Sequence, residues 1–446
     1  MRRGTRLAAA ALALGLLPGM TGCSALGPRD RMVVLPTPEP ALVVEEEAGG
    51  EAFTVRSIDQ FAYRTACSTD GNGFSTPIAF SQGDLYIVYG GPDEPVTLKR
   101  VDPRYGFYEE IADLGVLDYE KIGLSPDGRY LLYSQTDRST ETLRLTLVDV
   151  GTGEMRCVLQ CPRVSTLLTL DFCFSGDGEH FFCWMTYNGS GVSWKEDMEW
   201  YGSIQTTLPF PEDVPLNEVL RGDCDAGEAE TWIVLEEMEE TEAYAMEQVG
   251  DMGNAYGKSV VISPDGERAA VSYFSPVLGN VCAFFSGGAE DTAASELYSN
   301  LLRNGGEIFQ ITEDAVLGAC FRGDTYQPFL GRGSGVVYWT ELADANLRTL
   351  RLSPDGLYAL SVEYGADGEC LVCVYPLDAA RQPRRSGRRV LYQSLQSYAD
   401  LWIAPEQDRV ILLSHNYTVE QDVLEKGEAE AVLATEAAYT VTVLEM

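Results

Sequence analysis

The chain has 446 residues, with 68 acidic against 32 basic side chains and a formal charge of −36. A field of that sign repels phosphate backbones and anionic lipid surfaces, so nucleic-acid binding is excluded as a function class. The 23 tyrosines and 16 phenylalanines can fill a substantial core, and 44 glycines suit a fold with many tight turns.

The first element is a cationic start, Met1-Arg-Arg-Gly-Thr-Arg6, followed by an apolar run from Leu7 to Leu17. Such a run would span about 16 Å as a helix, short of the roughly 30 Å bilayer core, and fits a secretory signal better than a membrane helix. Met20-Thr-Gly-Cys23 comes next and resembles the bacterial lipobox, with Met20 where Leu is usual. The resemblance implies lipid attachment at Cys23 and cleavage before it, so that residues 1–22 are a signal peptide. Two acyl chains are what durable anchoring takes. The alternative is a plain secreted protein with an unmodified Cys23. Without Arg2, Arg3 and Arg6 the charge of −36 becomes −39.

Residues 23–52 read as the lipidated cysteine and a tether. Pro36, Pro38 and Pro40 stiffen it, and Glu45-Glu46-Glu47 with Gly49-Gly50 keep it solvated.

From residue 53 to 446 the chain repeats itself. Four segments align without gaps: Leu124-Ser-Pro-Asp-Gly-Arg-Tyr130, Phe174-Ser-Gly-Asp-Gly-Glu-His180, Ile262-Ser-Pro-Asp-Gly-Glu-Arg268 and Leu352-Ser-Pro-Asp-Gly-Leu-Tyr358. Phe80-Ser-Gln-Gly-Asp84 and Ile403-Ala-Pro-Glu-Gln-Asp408 are weaker copies, and Phe321-Arg-Gly-Asp324 is taken as a seventh. Pro126 presets φ for a turn, Asp127 can bond its local backbone, and Gly128 supplies a positive φ. Leu143–Val150 and Met155–Leu159, joined by a glycine turn, add a third and a fourth strand to the strand, turn, strand of the repeat. Four antiparallel strands per repeat make a propeller blade. The aligned positions are 81, 125, 175, 263, 321, 353 and 404. The interval from 175 to 263 leaves room for one blade plus an insertion, or for two blades. The interval from 321 to 353 is too short for a blade. The expectation is an all-β fold, a single β-propeller of seven blades, with six and eight as alternatives. The Ser-Pro-Asp-Gly turns resemble the WD40-like propellers of the TolB and prolyl-oligopeptidase N-terminal type over about residues 54–446. That resemblance implies the fold and little about function. Ring closure is expected to pair Phe53–Tyr63 with Ala438–Leu444.

Residues 212–251 hold fourteen acids and one basic residue, Arg221. They read as an acidic insertion on the propeller rim, or as a docking arm for a basic partner. Val234, Met238, Ala245 and Val249 suggest a helix over Trp232–Val249.

Motifs that carry chemistry are missing. Gly331-Arg-Gly-Ser-Gly335 and the Gly189-Ser-Gly191 stretch fail the nucleophile-elbow pattern, and no H-E-x-x-H or Walker pattern occurs. No hydrolase domain of the prolyl-oligopeptidase kind is expected beyond Met446. His180 aligns with Tyr130, Arg268 and Tyr358, which marks it as a structural position. Cys370-Leu-Val-Cys373 lies in a strand, where a spacing of three points the side chains to opposite faces, so it reads as buried cysteines rather than a metal or redox pair. Ser68–Gly73 lacks the spaced ligands of a calcium loop. No cofactor, metal or catalytic residue is assigned.

Two functions remain. One is a binding or scaffold module at the outer face of a bacterial membrane, or facing a periplasm, with a protein, peptide or cell-envelope partner. Trp184, Tyr187, Trp194, Trp200 and Tyr201 are its candidate ligand-face aromatics, against core and rim packing. The other is an enzyme acting on glycan in the propeller channel.

Overall fold

The computed structural model describes residues 57–64, 78–81, 84–89, 95–102, 107–116, 121–137, 142–162, 168–187, 218–235, 256–275, 279–343, 347–365, 369–384, 387–394, 398–403, 409–415 and 438–445. Most of them lie in strands. β1 (Ser57–Arg64) is followed by a first unit of β2 (Ile78–Ser81), β3 (Asp84–Tyr89), β4 (Pro95–Asp102) and β5 (Phe107–Val116). The second unit is β6 (Lys121–Leu124), β7 (Tyr130–Asp137), β8 (Thr142–Asp149) and β9 (Met155–Pro162). The third is β10 (Leu168–Phe174), β11 (His180–Tyr187), β12 (Glu218–Asp223) and β13 (Glu228–Val234). The fourth is β14 (Tyr256–Ile262), β15 (Arg268–Ser275), β16 (Gly279–Ser286) and the two-residue β17 (Ala289–Glu290), followed by helix α1 (Thr292–Leu302). The fifth is β18 (Gly306–Ile311), β19 (Val316–Arg322), β20 (Thr325–Arg332) and β21 (Gly335–Tyr338). The sixth is β22 (Leu347–Leu352), β23 (Tyr358–Tyr364), β24 (Cys370–Pro376) and β25 (Arg389–Ser394). The seventh takes β26 (Tyr398–Ile403), β27 (Arg409–His415) and β28 (Ala438–Glu445), and its fourth strand is β1.

The hydrogen-bonded sheets number six, because a single parallel pair, Tyr187 with Tyr256, joins the third and fourth units into one eight-stranded sheet. Each of the seven units is a meander of four antiparallel strands. The expected closure holds with a slightly shifted span: Ser57 pairs with Glu445 and Arg64 with Ala438.

The core lies between the units. Leu143, Leu145 and Leu147 of β8 meet Leu170, Phe181, Cys183 and Met185 of the third unit. Phe182 and Trp184 meet Val271 and Phe285 across the next junction. Similar apolar clusters join the first unit to the second and run on to the seventh. Both faces of a blade are therefore buried. That is why β23 is buried from Tyr358 to Glu363 instead of alternating.

Two expectations need correction. The fifth repeat turn is not Phe321–Asp324, which connects β19 to β20. It is Thr312–Ala315, between β18 and β19. Thr312 keeps the serine role: its hydroxyl reaches Asp314 at 3.3 Å and accepts the Ala315 N–H at 3.1 Å. The turn lacks Pro and Gly because it is shorter. Moving the fifth position from 321 to 312 makes the irregular intervals, 263 to 312 and 312 to 353, close to a blade length. The acidic stretch 212–251 is likewise not one insertion. Residues 218–234 form β12 and β13, the outer strands of the third blade, with Val219 and Ile233 fully buried. Trp232–Val234 is thus strand rather than helix. The rest of that helix, from 236, lies outside the described residues.

Candidate functional site

The repeat spends its polar side chains on the frame. In each of four turns a buried serine hydroxyl donates to the aspartate two residues on. It accepts the N–H that opens the next strand, at 2.8 Å from Tyr130, 3.0 Å from His180, 2.8 Å from Arg268 and 3.1 Å from Tyr358. The aspartate carboxylate then accepts the N–H two residues beyond it, as Arg129 donates to Asp127 at 3.1 Å. Gly128, Gly178, Gly266 and Gly356 all have φ near +70°, which L side chains rarely adopt. Neighbouring turns touch. Gly176 N–H donates to the Pro264 carbonyl at 2.7 Å, and a Cβ on Gly176 would meet the Pro264 ring at 2.8 Å. This is why the third copy reads Ser-Gly-Asp-Gly where its siblings carry Pro.

The residues singled out from sequence fare unequally. Trp184 is 8% exposed and packs between the third and fourth blades, so it is core and not ligand face. Tyr187 ends β11. Cys23, Trp194, Trp200 and Tyr201 lie outside the described residues. His180 opens β11, and its backbone closes the turn on Ser175. Cys370 and Cys373 are buried in different clusters on opposite faces of the sixth blade. The nine described cysteines are free thiols.

A buried polar network sits against the fifth blade from the sixth. Glu363 accepts from Ser361, from the Tyr375 hydroxyl at 2.6 Å and from Arg388 at 2.9 Å, and Arg388 also donates to the Tyr375 oxygen at 3.0 Å. Burial, and then the Glu363 charge, push the Tyr375 hydroxyl and the Cys373 thiol upward. Every polar atom of the Glu363 carboxylate is matched within the blade, so the network reads as structural. Between the inner strands of the second and third blades, Lys121 and Asp171 form a half-buried ion pair. Among the described residues no three His, Cys, Asp or Glu side chains gather as a metal ion would need.

Topology divides the propeller into two sides. First-to-second and third-to-fourth strand connections, including the repeat turns, lie on one side, which we term the turn side. Second-to-third and fourth-to-first connections lie on the other, the loop side. The strand ends at Tyr187 and Glu218, Val234 and Tyr256, and His415 and Ala438 all lie on the loop side. The groove that stands out among the described residues also opens there, on the fifth blade. It is an open hollow of about 580 Å³ lined by Asn304, Phe321–Gly323, Thr325, Gln327, Thr340 and Ala343. Arg322 lies over the Tyr338 ring at 4.2 Å. Phe321 is 43% exposed, with its ring 5.0 Å from that of Tyr326. The Tyr326 hydroxyl donates to Glu307 at 2.9 Å, and burial together with that carboxylate raises its pKa. Sequence reasoning read Phe321–Asp324 as a repeat turn and so missed it as a site. The signal present was Arg322 next to Phe321 and close in sequence to Tyr326.

No protein-family profile matches the chain, and no curated protein matches it. Solved structures do. An oligogalacturonate lyase from Vibrio parahaemolyticus is 12% identical with a TM-score of 0.51, over 89% of this chain and 98% of its own. An oligogalacturonate lyase in complex with manganese is 11% identical with a TM-score of 0.46, over 87% and 91%. The β-propeller domain of the Trilobed protease from Pyrococcus furiosus, described as having an open velcro topology, is 9% identical with a TM-score of 0.43, over 77% and 91%. At these identities the likeness is one of fold, and the chain is a β-propeller built of four-stranded antiparallel blades.

Proposed function

We propose that this chain is an exported lipoprotein, held at the outer face of a bacterial membrane through Cys23, whose propeller is a binding module for a protein, peptide or cell-envelope ligand. The observation that carries the binding reading is the division of the two sides. On the turn side the repeated Ser and Asp side chains are committed to holding the turns, whereas the groove opens on the loop side. The cationic start, the apolar run Leu7–Leu17 and the Met20–Cys23 lipobox support the anchor. Among the described residues no helix is long and apolar enough to cross a membrane.

The test has two arms. Cells fed an alkyne-tagged fatty acid should label the native chain and leave Cys23→Ala unlabelled; equal labelling, or none, removes the anchor. Crosslinking on intact cells, followed by recovery of the native chain, should return a constant partner. A glycan shortened by the purified chain would instead support an enzyme.

A further inference from the structure

Gln327, the third residue of β20, is 6% exposed and lines the groove, and its side-chain amide has no hydrogen-bond partner among the described residues. Most of the side chain is buried while the amide at its tip opens to the groove, where both its donors and its acceptor stay available to a solute. Arg322 is the second oddity. In a chain with 68 acids it has no carboxylate partner among the described residues, and its guanidinium carbon lies 4.2 Å from the centre of the Tyr338 ring. An arginine fixed on a ring keeps its free edge for a two-pronged carboxylate contact. Around these two stand the Asn304 amide, the Thr325 and Thr340 hydroxyls and the exposed Phe321 ring.

We propose that the groove of the fifth blade binds a carboxylate-bearing carbohydrate. Gln327 and Asn304 each offer donors and acceptors together, which is what sugar hydroxyls, themselves both, require. Arg322 meets the carboxylate, and Phe321 offers its apolar ring to the C–H face of a sugar. The hollow is open and shallow, which suits one or two sugar rings. An acidic peptide could use Arg322 but would leave the amides and hydroxyls poorly matched. The proposal deepens the binding-module reading and rests on it for the ligand's presence at the cell surface.

The full-length chain in detergent micelles is titrated calorimetrically with a tetramannuronate, its fully methyl-esterified form and a tetraglutamate peptide. The acidic sugar should bind at least tenfold more tightly than its ester. Arg322→Gln should remove that preference and leave ester binding unchanged. Gln327→Leu should weaken acid and ester alike; because Gln327 is buried, its melting temperature is checked, whereas Arg322 is exposed and its variant should fold. Equal binding of acid and ester, no effect of Arg322→Gln, tetraglutamate binding without sugar binding, or no sugar binding at millimolar concentration would each overturn the proposal. Fatty-acid labelling at Cys23 is independent of these titrations, so failure of the groove and failure of the anchor are told apart.

Discussion

Ser353 is 1% exposed, and its hydroxyl accepts from Tyr358 N–H and donates to Asp355. Ser353→Ala takes the hydroxyl acceptor from the buried Tyr358 N–H, so urea melts should show a loss of about 1–3 kcal/mol. Replacing Gly176 by the proline its siblings carry should also destabilise, by about 1–3 kcal/mol. It removes the N–H that holds Pro264 and brings two rings together. A neutral Gly176→Pro would show that the turns do not bear on each other. The thiols give a pH dependence. Burial raises Cys161 and Cys282 to about 11 and Cys173 and Cys224 to about 12, from an ordinary value of 9. These groups are protonated in the fold and ionise more readily once unfolded. Their stabilisation is complete below pH 9 and is lost as pH rises towards 11–12. The melting temperature should therefore fall above pH 9, and a series with these cysteines changed to Ala should flatten that fall. At neutral pH, Cys157, the exposed one of the nine described thiols, should react first with a thiol reagent.

At the scale of elements, the fourth blade has only two residues in β17, and α1 takes the place of its outer strand. Ser299 exchanges hydrogen bonds with the backbone of Cys282, and Ser295 with that of Phe284. Four residues of helix rise about 6 Å and two residues of strand about 6.8 Å, so serines one turn apart match alternate residues of β16. The helix thus serves the edge with side-chain hydroxyls where a strand would use its backbone. Ser295→Ala should cost about 1–3 kcal/mol, less a few tenths for the better helix propensity of Ala. It should also speed amide exchange at Phe284, and unchanged exchange there would mean water replaces the hydroxyl. None of this was legible in the sequence, because Ser at such spacing carries no apolar pattern. The repeat turns were legible, since Pro, Asp and Gly each have one stereochemical task there. The Thr312 turn hid because a shorter connection does without Pro and Gly. Trp184 misled because an aromatic in a blade buried on both faces has the same composition signal as one on a rim. The groove escaped notice because its key amide, Gln327, is told from any other Gln only by its burial.

For the whole molecule, the last blade is completed by the first strand, and apolar clusters couple neighbouring blades from the first to the seventh. Removing residues 1–64 should leave β28 with a bare edge and sharply lower the melting temperature, whereas removing residues 1–56 should leave it nearly unchanged. Equal melts would mean that β1 is dispensable. β1 runs from the turn side to the loop side, starting opposite Glu445. Whatever precedes Ser57 therefore joins the propeller on the side away from the groove. That placement has a mechanical meaning. A pull on the N-terminal segment, with load held at the loop side, runs along β1 and shears its ladder to β28. The eight residue pairs from Ser57–Glu445 to Arg64–Ala438 then share the force together instead of peeling one by one.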